Sequence, residues 1–252
     1  MAIKTFDSIE NTRFISFSQR YGMMMYVDKR DLVAQIEREW AANGVNVDKG
    51  ITFSSELQLK MAGELRNRGI EPIRSVEGVF EKIVNSSVTY GRNQAPTEQV
   101  KLTLNDEGIN YVIALDKDQD IAAQLVIAVG ENMQPGYIYD VALYLKRSSN
   151  GYKDSHVIIR DSVNDLLRSN AKGYFQKYNE YMKKARALGF QYAEQQGLAS
   201  GSRAANQVVG HTLDRYRVKF VTELVDHINN TRMAQEPAQA RAVATGAGYY
   251  GV

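Results

Sequence analysis

The residues best suited to chemistry in this chain are cations set among aromatic rings. Lys172-Gly173-Tyr174-Phe175-Gln176-Lys177-Tyr178-Asn179-Glu180-Tyr181-Met182-Lys183-Lys184-Ala185-Arg186 holds five cations and four aromatics in fifteen residues. Cations neutralise phosphates and aromatic faces stack bases, so this composition suits single-stranded nucleic acid. On a helix Tyr174, Tyr178 and Tyr181 share one face, with Lys177 and Lys184 a heptad apart beside it. The competing reading is structural: tyrosines at such spacing pack on a neighbouring element while lysine stems cover the rim. A second stretch, Lys146-Arg147-Ser148-Ser149-Asn150-Gly151-Tyr152-Lys153, reads as a basic hairpin tip with one aromatic.

Other constellations are weaker. Asp116, Asp118 and Asp120 occupy the first, third and fifth positions of a calcium-loop pattern. The pattern then fails, with Ile121 where glycine belongs and Ile127 where glutamate belongs. An acidic turn between two strands is the simpler expectation. The three histidines, His156, His211 and His227, have no partners at metal-ligand spacing. On one helix, His211 and His227 stand about 24 Å apart at 1.5 Å per residue. The chain contains no Gly-x-Ser-x-Gly elbow, phosphate loop or dinucleotide fingerprint. With no cysteine, thiol nucleophiles, disulfides and thiolate metal sites are excluded. The expectation is a non-enzyme without cofactor or metal. The sequons Asn85-Ser86-Ser87 and Asn229-Asn230-Thr231 carry little weight without a secretory signal.

The 252 residues, 44% hydrophobic and 24% charged, suffice for a sizeable core in one or two domains. No apolar run reaches the ~20 residues a spanning helix needs. The opening Met1-Ala2-Ile3-Lys4-Thr5-Phe6-Asp7 lacks a signal-peptide pattern, so a cytoplasmic location is expected. Net charge is only +2 but uneven: residues 163–232 hold 11 Lys/Arg against 6 Asp/Glu, and residues 1–162 hold 19 against 22. A basic helical back and a mildly acidic front could meet within one molecule or between copies. Fifteen tyrosines suit interfaces and stacking platforms as well as sheet surfaces.

Three segments must position these residues, and the expected class is α+β. Residues 1–162 form a mixed body. Arg13–Ser18 and Met23–Val27 flank a Tyr21-Gly22 turn as a first hairpin. Asp28 reads as an N-cap boxed with Asp31, ahead of Leu32, Val33, Ile36 and Trp40, with a stop at Gly44. Leu57, Met61 and Leu65 make a second helix ending at Gly69. Val76, Val79, Phe80, Ile83 and Val84 have the spacing of a third helix behind Ser75. Five antiparallel strands then follow as a meander or small barrel: Val100–Leu104, Ile109–Leu115, Ala123–Val129, Tyr137–Lys146 and Tyr152–Ile159. Asn105-Asp106-Glu107-Gly108 is the tight turn between the first two. No connection in the block leaves room for a crossover, which argues against parallel pairing.

Residues 163–232 read as helical. One helix spans about Val163 to Leu188 and includes Leu166 and Leu167. Gly189 and the Gly197–Ser202 stretch mark breaks, and the longest helix follows. Its residues Val209, Leu213, Tyr216, Phe220, Leu224 and Ile228 step by three and four, the seam of a packed helix pair. Residues 233–252 form an Ala/Gly-rich flexible tail ending in Tyr249-Tyr250, a candidate docking peptide.

Two functions fit. The first is a structural or assembly protein, in the style of a virus or phage particle component, using the seam and the tail to contact other copies or protein partners. The second is a single-stranded nucleic-acid-binding protein using the strand block and the basic-aromatic helix. No membrane span is expected in either.

Overall fold

The computed structural model describes residues 11–45, 55–89, 95–147, 153–161, 166–167 and 173–233. The class is α+β, with five helices and an eight-stranded, mostly antiparallel sheet.

The chain opens with the expected hairpin, β1 (Thr12–Ser18) and β2 (Met23–Tyr26). A short 3-10 turn, Val27–Lys29, leads into α1 (Arg30–Ala42). The expected cap is not formed. Lys29 stands at the N-cap without a side-chain hydrogen bond, while Asp28 lies inside the turn and pairs with Lys29 at 3.1 Å. Val33, Ile36 and Trp40 turn inward and meet α2 (Ser55–Asn67), which buries Met61 and Leu65. Alternation makes β2 serve two cores. Met24 enters the main one, whereas Met23 and Met25 enter the small one under α1 and α2.

Next come β3 (Val76–Val88), β4 (Thr97–Asp106) and β5 (Ile109–Asp116). The helix expected over Val76–Val84 is therefore a strand. Its inward residues are Val76, Gly78 and Phe80, then Ile83, because the register shifts between Phe80 and Lys82. One bulged residue changes the alternation and leaves apolar side chains at helix-like spacing. The β4–β5 turn is as expected: Glu107 and Gly108 both have positive φ (48° and 85°), the pattern of a two-residue type I′ connection.

The strand expected at Ala123–Val129 is instead the heart of α3 (Asp120–Asn132). All of its residues from Ile121 to Val129 except Gln124 are buried. A helix enclosed on all sides shows no polar face, so its apolar run resembles a central strand. The chain returns through β6 (Ile138–Arg147) and β7 (Lys153–Arg160). Leu166 and Leu167, expected in a helix, form a two-residue strand β8 against β7. The helix proper, α4 (Tyr174–Gln195), starts later and runs through Gly189 without a break. Helix α5 (Arg203–Met233) follows.

The sheet order is β2-β1-β5-β4-β3-β6-β7-β8. Within it, β6-β3-β4-β5 is a Greek key: three consecutive strands and a fourth that returns beside the first. The return is made through α3. Strand β3 reaches both neighbours by pairing with β4 along Val79–Val88 and with β6 along Val76–Val79. At that crossing a Cβ on Gly78 would lie 2.8 Å from the Asn105 carbonyl oxygen, so only glycine fits. Parallel pairing does occur, between β1 and β5. Its crossover uses the long α1–α2–β3–β4 path, which lies outside the short connections of the central strands on which the antiparallel expectation rests.

Candidate nucleic-acid interface

Helices α3–α5 cover one face of the sheet, while α1 and α2 lie over the β1–β2 end of the other, outer face, where Met25 stands opposite Ser16. Phe80, Ile83, Val100, Leu102, Leu104, Ile113 and Leu115 point to one side, into a core shared with α3 and with Tyr178, Val221, Leu224, Val225 and Ile228. Alternation puts their neighbours on the other side. The registers line these up as Lys82–Thr103–Val112–Phe14, then Val84–Lys101–Ala114–Ser16, then Ser86–Gln99–Asp116. Lys82 is exposed, Lys101 half-buried, and Phe14 is 43% exposed. Gln99 donates to Asp116 at 2.8 Å, and Asn105 to Asn110 at 2.7 Å. The face mixes polar and apolar side chains, and Thr103, Val112, Ser16 and Gln99 within it are buried, so its exposed part lies around Lys82 and Phe14. Of its acids, Asp116 closes the third row and Glu77 and Asp140 lie at the β3–β6 crossing, where Arg160 pairs with Asp140 at 3.0 Å. Beyond that crossing Tyr144 stacks on His156, with centroids 5.2 Å apart and planes 15° from parallel.

The sequence missed Lys82 and Lys101. The alternation of Val100, Leu102 and Leu104 did place Lys101 and Thr103 on the opposite face, but Lys82 could be placed only once the bulge was known. Of the basic hairpin tip, Lys146 is exposed at the end of β6 and Arg147 pairs across to Lys153; Tyr152 lies outside the described residues.

The basic-aromatic helix splits into two populations. Its tyrosines turn inward. Tyr178 is 4% exposed, donates its hydroxyl to Asp120 at 2.8 Å and accepts from Arg217 Nε at 3.2 Å. Burial pushes its phenol well above the ordinary value, and the neighbouring Asp120 carboxylate adds to the shift. Tyr181 packs on Tyr216 and Phe220, and Tyr174 meets His227 edge-on. These rings offer no stacking platform for a base. Lys177, Lys183, Lys184 and Arg186 are exposed, with Lys177 over the Tyr174 ring at 5.4 Å; Lys172 lies outside the described residues.

The seam of α5 closes within the chain. Val209, Leu224 and Ile228 are buried, Phe220 lies against Tyr178 and Tyr181, and Leu213 and Tyr216 are half-buried. Tyr249 and Tyr250 lie outside the described residues. The three aspartates diverge. Asp116 accepts from Gln99 and Gln119, Asp120 accepts from Tyr178, and the Asp118 backbone oxygen accepts from Arg217. Burial raises the Asp118 carboxyl pKa, with Asp116 and Asp214 acting in the same direction. Among the described residues no three His, Asp or Glu converge on a point where a cation could sit. The Asp116–Asp120 segment is no freely solvated turn either: Lys117 within it is buried.

No protein-family model matches the chain, and neither the curated proteins nor the solved structures give a significant match. Among the described residues no helix is long and apolar enough to cross a membrane.

Proposed function

We propose that this chain binds single-stranded nucleic acid across the outer face of β3, β4 and β5. One observation carries the reading: a five-strand Greek key, β3 to β7, keeps all of α3–α5 on one side and leaves a face with Lys82 and Lys101 on the other. Partly open five-strand Greek-key barrels, the oligonucleotide/oligosaccharide-binding fold among them, hold their ligands on the face of the second and third strands. The loops after the first and fourth strands flank that face. Here those strands are β4 and β5, and the loop after the fourth strand is the basic Lys146–Lys153 tip. The likeness to such barrels is analogy at the level of fold; Lys82 and Lys101 are this chain's own.

Anisotropy of a fluorescent (dT)20 oligonucleotide tests it. Affinity should fall with salt, and Lys82→Ala plus Lys101→Ala should flatten the log–log slope by about 0.7 per lysine. Absence of binding at 50 mM salt, or binding that ignores salt, overturns the reading.

A second reading, assembly with other copies, has one observation of its own. Beyond Ala185 the α4–α5 pair leaves the core, yet Phe190 and Tyr192 remain 45% and 44% exposed on it. Large apolar side chains on a projecting element suit a protein contact.

A further inference from the structure

Where β1 runs beside β5, the end of the sheet opens into a cleft of about 700 Å³ lined by Arg13, Phe14, Tyr26, Asp28, Lys29 and Tyr111 among others. The register sets Arg13 opposite Tyr111, and Ile15 opposite Tyr26. Arg13 and Tyr111 thus lean to the helical face and Phe14 to the outer one, so the cleft wraps round the end of the sheet. The rings of Tyr26 and Tyr111 pack against the main core, which fixes them in place. Burial raises the Tyr26 phenol, with Tyr111 adding to the shift, Arg13 opposing it and Asp28 adding to it again, so the four groups share one electrostatic environment. Arg13 is exposed and makes no ion pair among the described residues, while Lys29 is paired with Asp28. The cleft therefore carries a net charge of +1 beside two anchored rings and a third, Phe14, that is unusually exposed for its type.

The outer-face row Lys82–Thr103–Val112–Phe14 ends at it, with Lys82 and Phe14 exposed at its two ends and Thr103 and Val112 buried between them. Spanning four adjacent strands at about 4.8 Å spacing, the row is about 14 Å long. We propose that this cleft takes one nucleotide of a bound single strand, its base stacked on Tyr26 and Tyr111 and its phosphate held by Arg13 and Lys29. Phe14 guides the strand over the lip. The inference rests on the sheet-face reading above but is separable from it by experiment.

Two titrations decide it. In the first, thymidine 5′-monophosphate is added to isotope-labelled full-length protein, and the backbone amides of Arg13, Lys29 and Tyr111 should shift. In the second, fluorescent (dT)12 is titrated into wild type, Arg13→Ala plus Lys29→Ala, and Tyr111→Leu. The double variant alters the exposed Arg13 and the half-buried Lys29, neither of them in the core, and should fold normally, yet bind about tenfold more weakly; Tyr111→Leu should lose a similar amount of stacking. Tyr111→Phe should bind as wild type. If the cleft variants bind (dT)12 as wild type does while the Lys82/Lys101 variant is weakened, the cleft is overturned and the sheet face stands. A wild type that binds no (dT)12 sinks the sheet face, and the mononucleotide shifts alone then decide the cleft. Unmoved amides there overturn it.

Discussion

Lys117 is 1% exposed, in a segment that composition marks as solvated. Its ammonium reaches Glu98 at 3.3 Å and the Thr222 hydroxyl at 2.9 Å, tying the start of α3 to β4 and α5. A buried charge is costly unless every partner is present. Removing one partner should therefore do more harm than removing the charge itself. Thr222→Val keeps the shape but takes away a hydrogen bond to an ion, a loss of about 1–3 kcal/mol. Lys117→Met places an apolar chain of similar length in the same space and should cost less. Urea unfolding of both variants checks the ranking; a Lys117→Met loss larger than that of Thr222→Val would show that the ion pair is itself a net stabiliser.

Among the elements, the α4–α5 pair depends on small residues. Ala185, Gly189 and Ala193 of α4 face Ala205, Val209 and Thr212 of α5, all buried. A Cβ on Gly189 would lie 2.9 Å from the Val209 Cα, an atom that cannot move without the helix moving. Gly189→Ala should thus destabilise by about 1–3 kcal/mol through overpacking, despite better helix propensity. Gly210→Ala, with nothing within 4 Å of the new atom, should gain up to about 1 kcal/mol. Thermal melts of the two variants should move in opposite directions, and a Gly189→Ala melt at or above wild type would mean that the pair can part at no cost.

Where one period ruled, the elements were legible in the sequence. The Val100–Leu104 alternation, the Glu107-Gly108 turn, the β1–β2 hairpin, the Leu57–Leu65 face and the helical stepping of α5 are all found in the structure, although the α5 seam expected to meet other copies packs within the chain. The bulge in β3 imitated a helix, and the all-round burial of α3 imitated a strand. Both errors hid the Greek key, because its connectivity is visible only when β3 is a strand and α3 the return path. The candidate site suffered likewise. The inward tyrosines of α4 look like a stacking platform until the neighbouring helix is placed, and Lys82 and Lys101 look unrelated until the registers bring them together. The tie between Arg13 and Tyr111 depends on a parallel pair roughly a hundred positions apart, which no local pattern records.

At the scale of the whole molecule, the two readings use different surfaces. Nucleic acid would lie on the outer sheet face, and other copies would meet the arm formed by α4 beyond Ala185 and the start of α5. If the chain assembles through the arm, Phe190→Lys plus Tyr192→Lys should reduce its light-scattering mass to that of the 28.3 kDa monomer without loss of fold. A wild type already of monomer mass removes the assembly reading, and a multimer indifferent to the substitutions removes the arm.

The two outermost strands of the sheet, β2 with four residues and β8 with two, are its shortest. Long unpaired edges are the templates on which strands from other molecules add. Here β4 and β5 are flanked by strands on both sides, and β1 covers the edge that β5 would otherwise present, whereas β3 beyond Val79 and β7 before Ile159 have a strand partner on one side only among the described residues. The β2 end of the sheet is thus a short template, and little free ladder is left there for a strand of another molecule to join.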